Sequence, residues 1–354
     1  MLACAVLLWG IGCALSEPVA AACNVESSAD KTGSLKRTLA PDCTAAEREA
    51  QAVESGVVMN ALAKGWAVEL TGVVIRGDLI LDRLPVQMIR TPGNLTPDQR
   101  EALSRLNAEE IRSVSAPVTI RDAVVQGTIR HRSAKGTLQF EGPVDLHGTR
   151  FMQGVDLSRS LFQRAVDLSA ARFEQESYWV QGQFGEMLNC ADTKFGPHTR
   201  FHRSTFRGVV ECTGALFDGM AEFLETTFEQ RASFANTRFG LGTGFSGSRF
   251  MRSVSFVDAI FSREVFFGFA QFESEASFAG ARFLGAADFS NAVFARPDDL
   301  SKAHFDRPPG LAHAKRTGPE SAPGGGTSPG VQYIFTLGLL IAAALLVAYA
   351  YKIK

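Results

Sequence analysis

The sequence has almost no net charge. Its 36 Lys and Arg stand against 37 Asp and Glu, a formal charge of −1, which leaves no electrostatic footprint for a nucleic-acid partner. Histidine (6) and cysteine (6) are few and scattered, and no spacing among them matches a zinc site. No Gly-rich phosphate loop and no nucleophile elbow occurs, so the common signatures of phosphoryl and acyl transfer are missing. Tyrosine (4) and tryptophan (3) are sparse, whereas phenylalanine reaches 27 in a chain of 354 residues. An aromatic composition skewed to one residue type points to one packing motif used many times.

Long apolar runs occur at the two ends. As a helix, Leu2–Leu15 would span about 21 Å, short of a bilayer. Followed by the small residues Ala20–Ala22, it predicts a signal peptide over 1–22 cleaved near Ala21 or Ala22, although no basic region precedes it. A retained anchor and a lipidated Cys23 are the alternatives. Tyr333–Tyr351 carries no charge and as a helix would span about 28 Å, the thickness of a bilayer core. Tyr333 and Phe335 flank one end, Tyr349 and Tyr351 the other, and Lys352 and Lys354 follow, which places the tail 352–354 in the cytoplasm. The expectation is a single-pass protein of the cytoplasmic membrane whose repeat region lies on the periplasmic, extracytoplasmic side. In that oxidising compartment Cys23 and Cys43 are candidates for a disulfide.

Between the ends runs a rhythm. In "ASFAGARFLGAADFSNAVF" (Ala276–Phe294), Phe278, Phe283, Phe289 and Phe294 are separated by five, six and five residues, with Ala276, Ala281, Ala287 and Ala292 two places ahead of each. The alternation continues without a missed step from Leu146 to Phe305, with Leu157, Leu168, Trp179, Cys190 and Cys212 among the non-Phe members. Phe266, Phe269 and Phe335 fall off it, and Phe140 stands ahead of its first member. The residue two places ahead is almost always small or β-branched, with Leu188 and Asp298 the conspicuous departures. Residues two apart on an extended segment share a face, so each unit turns one small and one large side chain inward. Short units of this kind bury nothing alone and must stack as a solenoid.

"ADFSN" (Ala287–Asn291) and "ASFAG" (Ala276–Gly280) resemble the units of the pentapeptide repeat family. The likeness covers about 145–305 and reaches weakly back to about 66. It implies an all-β solenoid, a right-handed quadrilateral β-helix with four units per coil. Here units of five and six alternate, an 11-residue period, so a coil of 22 residues is expected rather than 20. Two inward columns follow: Phe151, Phe173, Phe195 and onward to Phe305, and Phe162, Phe184, Phe206 and onward to Phe294. A third holds Leu168, Cys190, Cys212 and Phe234, with the two cysteines read as buried free thiols.

The domain plan is then a segment 23–65, a β-helix over 66–305 with an insertion at 82–115, and a flexible Pro/Gly/Ser linker over 306–332. Thr44–Gly65 carries a Thr–Glu capping box and predicts one helix covering the open first coil. In the insertion, Thr96 as N-cap, Pro97 and Gln99 predict a short helix at the side of the solenoid.

Candidate chemistry is thin. His198 and His202 straddle an inward residue and a corner, and Asp298–Asp299 reads as end-cap polarity. Outward residues fall into rows. One reads Asp145, Asp167, Asn189, Glu211, Ser233, Ser255, Ser277. The next reads Arg150, Arg172, Lys194, Leu216, Arg238, Ile260, Arg282, His304. Arg150, Arg172, Lys194, Arg238 and Arg282 are the candidate interaction surface, together with the outward Phe266 and Phe269. The reading is a non-enzymatic, membrane-anchored scaffold or interaction module of the bacterial cell envelope, without a cofactor, whose partner is an envelope protein or an anionic polymer. Three rivals are a channel component, an envelope protein that binds or processes polysaccharide, and a DNA-mimicking gyrase binder of the kind known in the family. The 20 acidic and 16 basic side chains of 141–305 are too balanced for a DNA mimic.

Overall fold

A large and a small side chain pointing the same way, followed at once by a turn, leave room for a strand of two residues. In a computed structural model that describes residues 23, 25–30, 33–88, 95–133 and 135–316, that is what the repeats form. Val144–Asp145, Arg150–Phe151, Val155–Asp156 and Ser160–Phe162 follow one another around a four-sided coil. Each pairs in parallel with its counterpart one coil on: Val144 with Val166, Phe151 with Phe173, Val155 with Ser177, Phe162 with Phe184. The chain is an all-β solenoid of four sheets, with 11, 11, 9 and 11 strands among the described residues. They are the first to fourth faces below, in that chain order.

The register between coils is a constant 22 residues from Leu138, paired with Ser160, to Val293, paired with Lys315. Identical side chains therefore stack. Phe151 to Phe305 form a column with ring centroids 4.5–5.3 Å apart. Phe162 to Phe294 form a second, at 4.6–5.1 Å, which Phe140 extends by one coil. Near-parallel rings at this distance add about 0.5–1.5 kcal/mol per pair to the burial itself. The small inward residue is not only a spacer. Thr149, Thr193 and Thr237 donate their hydroxyls to the carbonyls of Ile120, Leu168 and Cys212 at 2.6–2.8 Å, so the buried polar atom is satisfied.

One turn in two is tight. Gly148, Arg159, Ala170, Gln181 and Asp192 begin a series of left-handed residues, one per two faces, that runs to Asn291 and, past Lys302, resumes at His313. The N–H of Thr149 closes the first such turn on the carbonyl of Leu146 at 3.1 Å. A positive φ at the third position of a hydrogen-bonded turn is the type II arrangement.

Ahead of the regular coils the chain is less uniform. β1 (Val25–Asp30) and β2 (Ser34–Leu39) form an antiparallel hairpin that ends the first face. The expected single helix over Thr44–Gly65 is instead two, α1 (Ala45–Ala50) and α2 (Ser55–Ala63). They are interrupted by β3 (Val53–Glu54), whose buried Val53 pairs the strand onto Ile75 of the second face. The capping box at Thr44 is present. Val58, Ala61 and Leu62 of α2 are buried in the same core as Leu70 and Ile75. Cys23 and Cys43 are disulfide-bonded, with Cα atoms 4.9 Å apart.

The insertion is shorter than 82–115. Glu110–Val114 already forms a strand of the fourth face against Gly136–Phe140, with Val114 in the core and Ile111 buried on the opposite side of the strand. Within the insertion, α3 (Pro97–Leu106) starts at the capping box of Thr96 and Gln99. It lies along the fourth face. Arg105 donates to Thr205 at 3.0 Å, and Arg207 bonds Glu101 at 3.0 Å. Gln139, Leu161 and Gln183, which point away from the core column, are buried.

The solenoid also runs past 305. Gly310 bridges to Asp288 and Lys315–Arg316 pairs with Val293–Phe294. Leu311, packed on the core, stands where a Phe would, and Pro308 and Pro309 gave the stretch a linker's composition. Cys190 and Cys212, expected as buried free thiols, are buried and stacked one coil apart. Stacking puts their Cα atoms 4.5 Å apart. The expected signal peptide 1–22 and membrane helix 333–351 lie outside the described residues, as does the linker from 317 on. Among the described residues no helix is long and apolar enough to cross a membrane.

Candidate interaction faces

Because coils keep register, every outward side chain has a fixed neighbour one coil up and down. The question for each row is whether its polar groups are already used.

On the first face they are. Asp145 and Asp167 accept from the N–H groups of His147 and Ser169, two residues on, at 3.1 and 2.9 Å. Asn189 does the same for Ala191 and donates to Asp167 at 3.1 Å. Glu211 accepts from the N–H of Thr213 at 3.2 Å, and Asp145 also meets Arg121. These side chains hold the start of the tight turn, a local use of short polar residues. The row is built into the backbone and presents little carboxylate to a ligand.

The second face differs. Arg150, Arg172, Lys194, Leu216, Arg238, Ile260 and Arg282 are partners in one ladder, and its five cations are exposed. Arg150 pairs with Glu174 at 2.6 Å and Lys194 with Asp218 at 2.9 Å, each acid lying on the next coil. Ser262 stands at the equivalent place beyond Arg238. Arg172, Arg238 and Arg282 form no ion pair among the described residues. A shallow groove at the corner, near Gly196, Pro197 and Leu241, is lined by the Lys194–Asp218 pair.

The third face carries the densest polar cluster. His198, Arg200 and Glu222 meet there, Glu222 lying 3.3 Å from His198 and 2.9 Å from Arg200. The Arg200 guanidinium lies over the Tyr178 ring at 5.4 Å. Burial pushes the Glu222 carboxyl up, but the His198 hydrogen bond and the Arg200 charge outweigh it and leave the group below its ordinary value. His202, beyond the corner, is held below the usual histidine range by burial and by Arg203. The two histidines are not brought to one point, and among the described residues no three metal-type ligands converge.

Further along the same face, Phe266 is half-buried and Phe269 is 66 % exposed. Phe269 adopts φ +59° in the tight turn. Sequence spacing picked out both residues as outward. The left-handed backbone under Phe269 needed the turn geometry.

At the carboxyl-terminal end, Asp299 sits where the next strand of the first face would be. Its carboxylate accepts from the N–H of Phe278 at 2.6 Å and the hydroxyl of Ser277 at 2.9 Å, in place of a backbone carbonyl. Asp298, a misfit as an inward residue, is nearly buried and paired with Arg316 at 2.5 Å. Spacing alone gave these two the general role of end polarity.

No curated protein and no solved structure matches the chain. Residues 213–260 and 256–304 match the family model described as pentapeptide repeats (9 copies), so the later coils are similar to those of the pentapeptide repeat family.

Proposed function

We propose that the protein is a non-enzymatic scaffold, an interaction module that presents long flat faces to a partner. The observation that carries this reading is the constant 22-residue register, which lines up outward side chains in straight rows on a rigid Phe core. A repeat solenoid of this kind is a structural element, and function lives on its surface. The apolar ends of the sequence support an anchored protein, with the solenoid held outside the cytoplasm by a C-terminal span and α1–α2 covering its first coil.

The second face is the surface this reading favours for an extended anionic partner, because three of its cations are unpaired. From Arg172 to Arg282 the ladder rises about 24 Å at the usual strand spacing. Attraction of that kind sets on-rate and weakens as salt screens it. Changing Arg172, Arg238 and Arg282 to Gln should leave the thermal midpoint unchanged and abolish salt-sensitive retention on an anionic polymer such as polygalacturonate. Equal retention by the variant and the parent would defeat the assignment of this face.

A further inference from the structure

The third face changes character between Leu241 and Asn291. Over the earlier coils its outward positions carry Tyr178, Arg200 and Glu222. Gly244 follows in the same row, then Phe266, then Asp288. Gly244, in the row position before Phe266, is buried under the Leu224 side chain, whereas Gly247, one coil before Phe269, is exposed.

Phe269 is the telling residue. The left-handed positions of the other tight turns hold Gly, Asp, Asn, Ala and charged or amide side chains; none of those described is a hydrocarbon ring. A bulky residue at positive φ is disfavoured, and an aromatic ring 66 % exposed to water is disfavoured again. A strained outlier kept at the surface, against the cheaper Asn291 one coil on, points to a contact made by that ring.

The polar groups around the rings suit hydroxyls. One oxygen of Asp288 accepts from the N–H of Ser290 at 2.9 Å, and the carboxylate has no ion pair among the described residues. The Ser246 hydroxyl reaches the Phe266 carbonyl at 3.5 Å, close to the limit of a bond, and is free to turn to another acceptor. Charge is nearly balanced on this stretch, where Arg263, Glu264 and Asp288 are its ionised groups. Arg263 stands beside Glu264, and no row of stacked cations like that of the second face runs here. Electrostatics therefore favour an uncharged occupant here.

We propose that the third face between Leu241 and Asn291 binds a neutral, hydroxyl-rich glycan chain. The Phe266 and Phe269 rings stack against the apolar C–H faces of sugar rings, whose partial positive charge matches the negative face of the aromatic. Gly247 puts no side chain beside the Phe269 ring, and Asp288 and Ser246 take hydroxyl hydrogen bonds. This site goes beyond the scaffold reading and uses a different face from the arginine ladder.

The test is affinity electrophoresis of the full-length protein, kept in a detergent without a sugar headgroup. The gels contain hydroxyethylcellulose, glycol chitin or dextran, with polygalacturonate and a deca-arginine peptide as charged probes. Retardation is expected on at least one of the three neutral polymers. Phe269→Asn and Phe266→Ser should each weaken it about tenfold. Phe269→Asn relieves the backbone, so its thermal midpoint should equal or exceed the parent's, and lost binding cannot then be lost folding. The triple Arg172, Arg238, Arg282→Gln variant should bind the neutral polymer like the parent, which separates this site from the second-face proposal. No retardation on any neutral polymer, retardation indifferent to both Phe substitutions, or Phe-dependent binding of deca-arginine alone would each overturn it.

Discussion

The coils from Val144 to Phe294 and those ahead of them, Ala67 to Phe140, enclose the same four-sided core by different means. In the later coils most strands are two residues long and the filling is a ladder of stacked rings. In the earlier ones several strands run to five residues, and Val68, Leu70, Ile75, Ile120 and Val125 fill the interior. Stacked identical rings demand an identical period, which is why the later register never leaves 22. Aliphatic side chains of mixed size make no such demand. The earlier part accordingly tolerates an offset of 26 between Val118 and Val144 and an excursion that contains α3. A regular core gives order at the cost of freedom; the irregular one has room for an insertion.

Core substitutions should expose that contrast most sharply. Phe228 is 1 % exposed and stacked between Phe206 and Phe250. Phe228→Ala should cost about 3–5 kcal/mol, because the rings above and below cannot collapse into the gap without breaking their own register. Its neighbour Thr227 points outward, and Thr227→Ala should cost under about 0.5 kcal/mol. In the earlier coils Ile75→Val should cost about 0.5–1.5 kcal/mol. Urea denaturation monitored by circular dichroism would rank the three. Equal losses at Phe228 and Thr227 would mean that the inward frame is wrong.

The ends come next. Asp299→Ala removes the acceptor of the Phe278 N–H and leaves the first face open. A loss of about 1–3 kcal/mol is expected, with hydrogen exchange accelerated first at Phe278 and its neighbours and unchanged near Phe162. Uniform acceleration along the solenoid would show that the last coil is no separate unit.

A pH effect should mark the earlier coils. His131 points inward, 2 % exposed, and its Nε2 has no hydrogen-bond partner. Burial holds its pKa below the ordinary value despite the Ser158 carbonyl and the charges of Asp82 and Asp156. A histidine depressed in the folded state binds fewer protons there than in the unfolded chain. Stability is then full above the unfolded value, about 6.5, and falls as pH drops through the range below it. His202 is shifted the same way. His131→Leu should flatten part of that acid slope in urea titrations between about pH 6.5 and 5. An unchanged slope would assign all of it elsewhere.

Legibility followed the same divide. From Leu146 to Phe305 one residue type repeated on one spacing, so the inward columns could be written from sequence with residue numbers. Phe140 was missed because its pitch had no Phe before it. Leu311 was missed because Pro308 and Pro309 looked like a linker. The helix at Thr96 was readable from its cap, since capping is local. What the rows do was not readable. That Asp167 serves the N–H of Ser169, or that Glu174 neutralises Arg150 from the next coil, depends on contacts between residues whose partners are fixed by the fold. Phe266 and Phe269 stood out as off-grid aromatics, but the backbone strain that gives Phe269 its meaning is a property of the turn.

One expected effect has the opposite sign. Phe269 occupies a left-handed turn in the regular coils, where Gly247 and Asn291 fill the places one coil before and after. Asn accepts that conformation with less strain than Phe, because its short side chain avoids the clash and can bond locally. Phe269→Asn also removes an exposed ring. The substitution should raise stability by up to about 1 kcal/mol, read as a rise in the urea midpoint with an unchanged slope. Substituting the buried neighbour Phe267, which stacks on Phe245 and Phe289, should do the reverse. If Phe269→Asn destabilises instead, the ring packs usefully on its own coil and the argument from strain fails. If it stabilises, the natural chain carries a residue that its fold would be better without, and the reason must lie in what the third face touches.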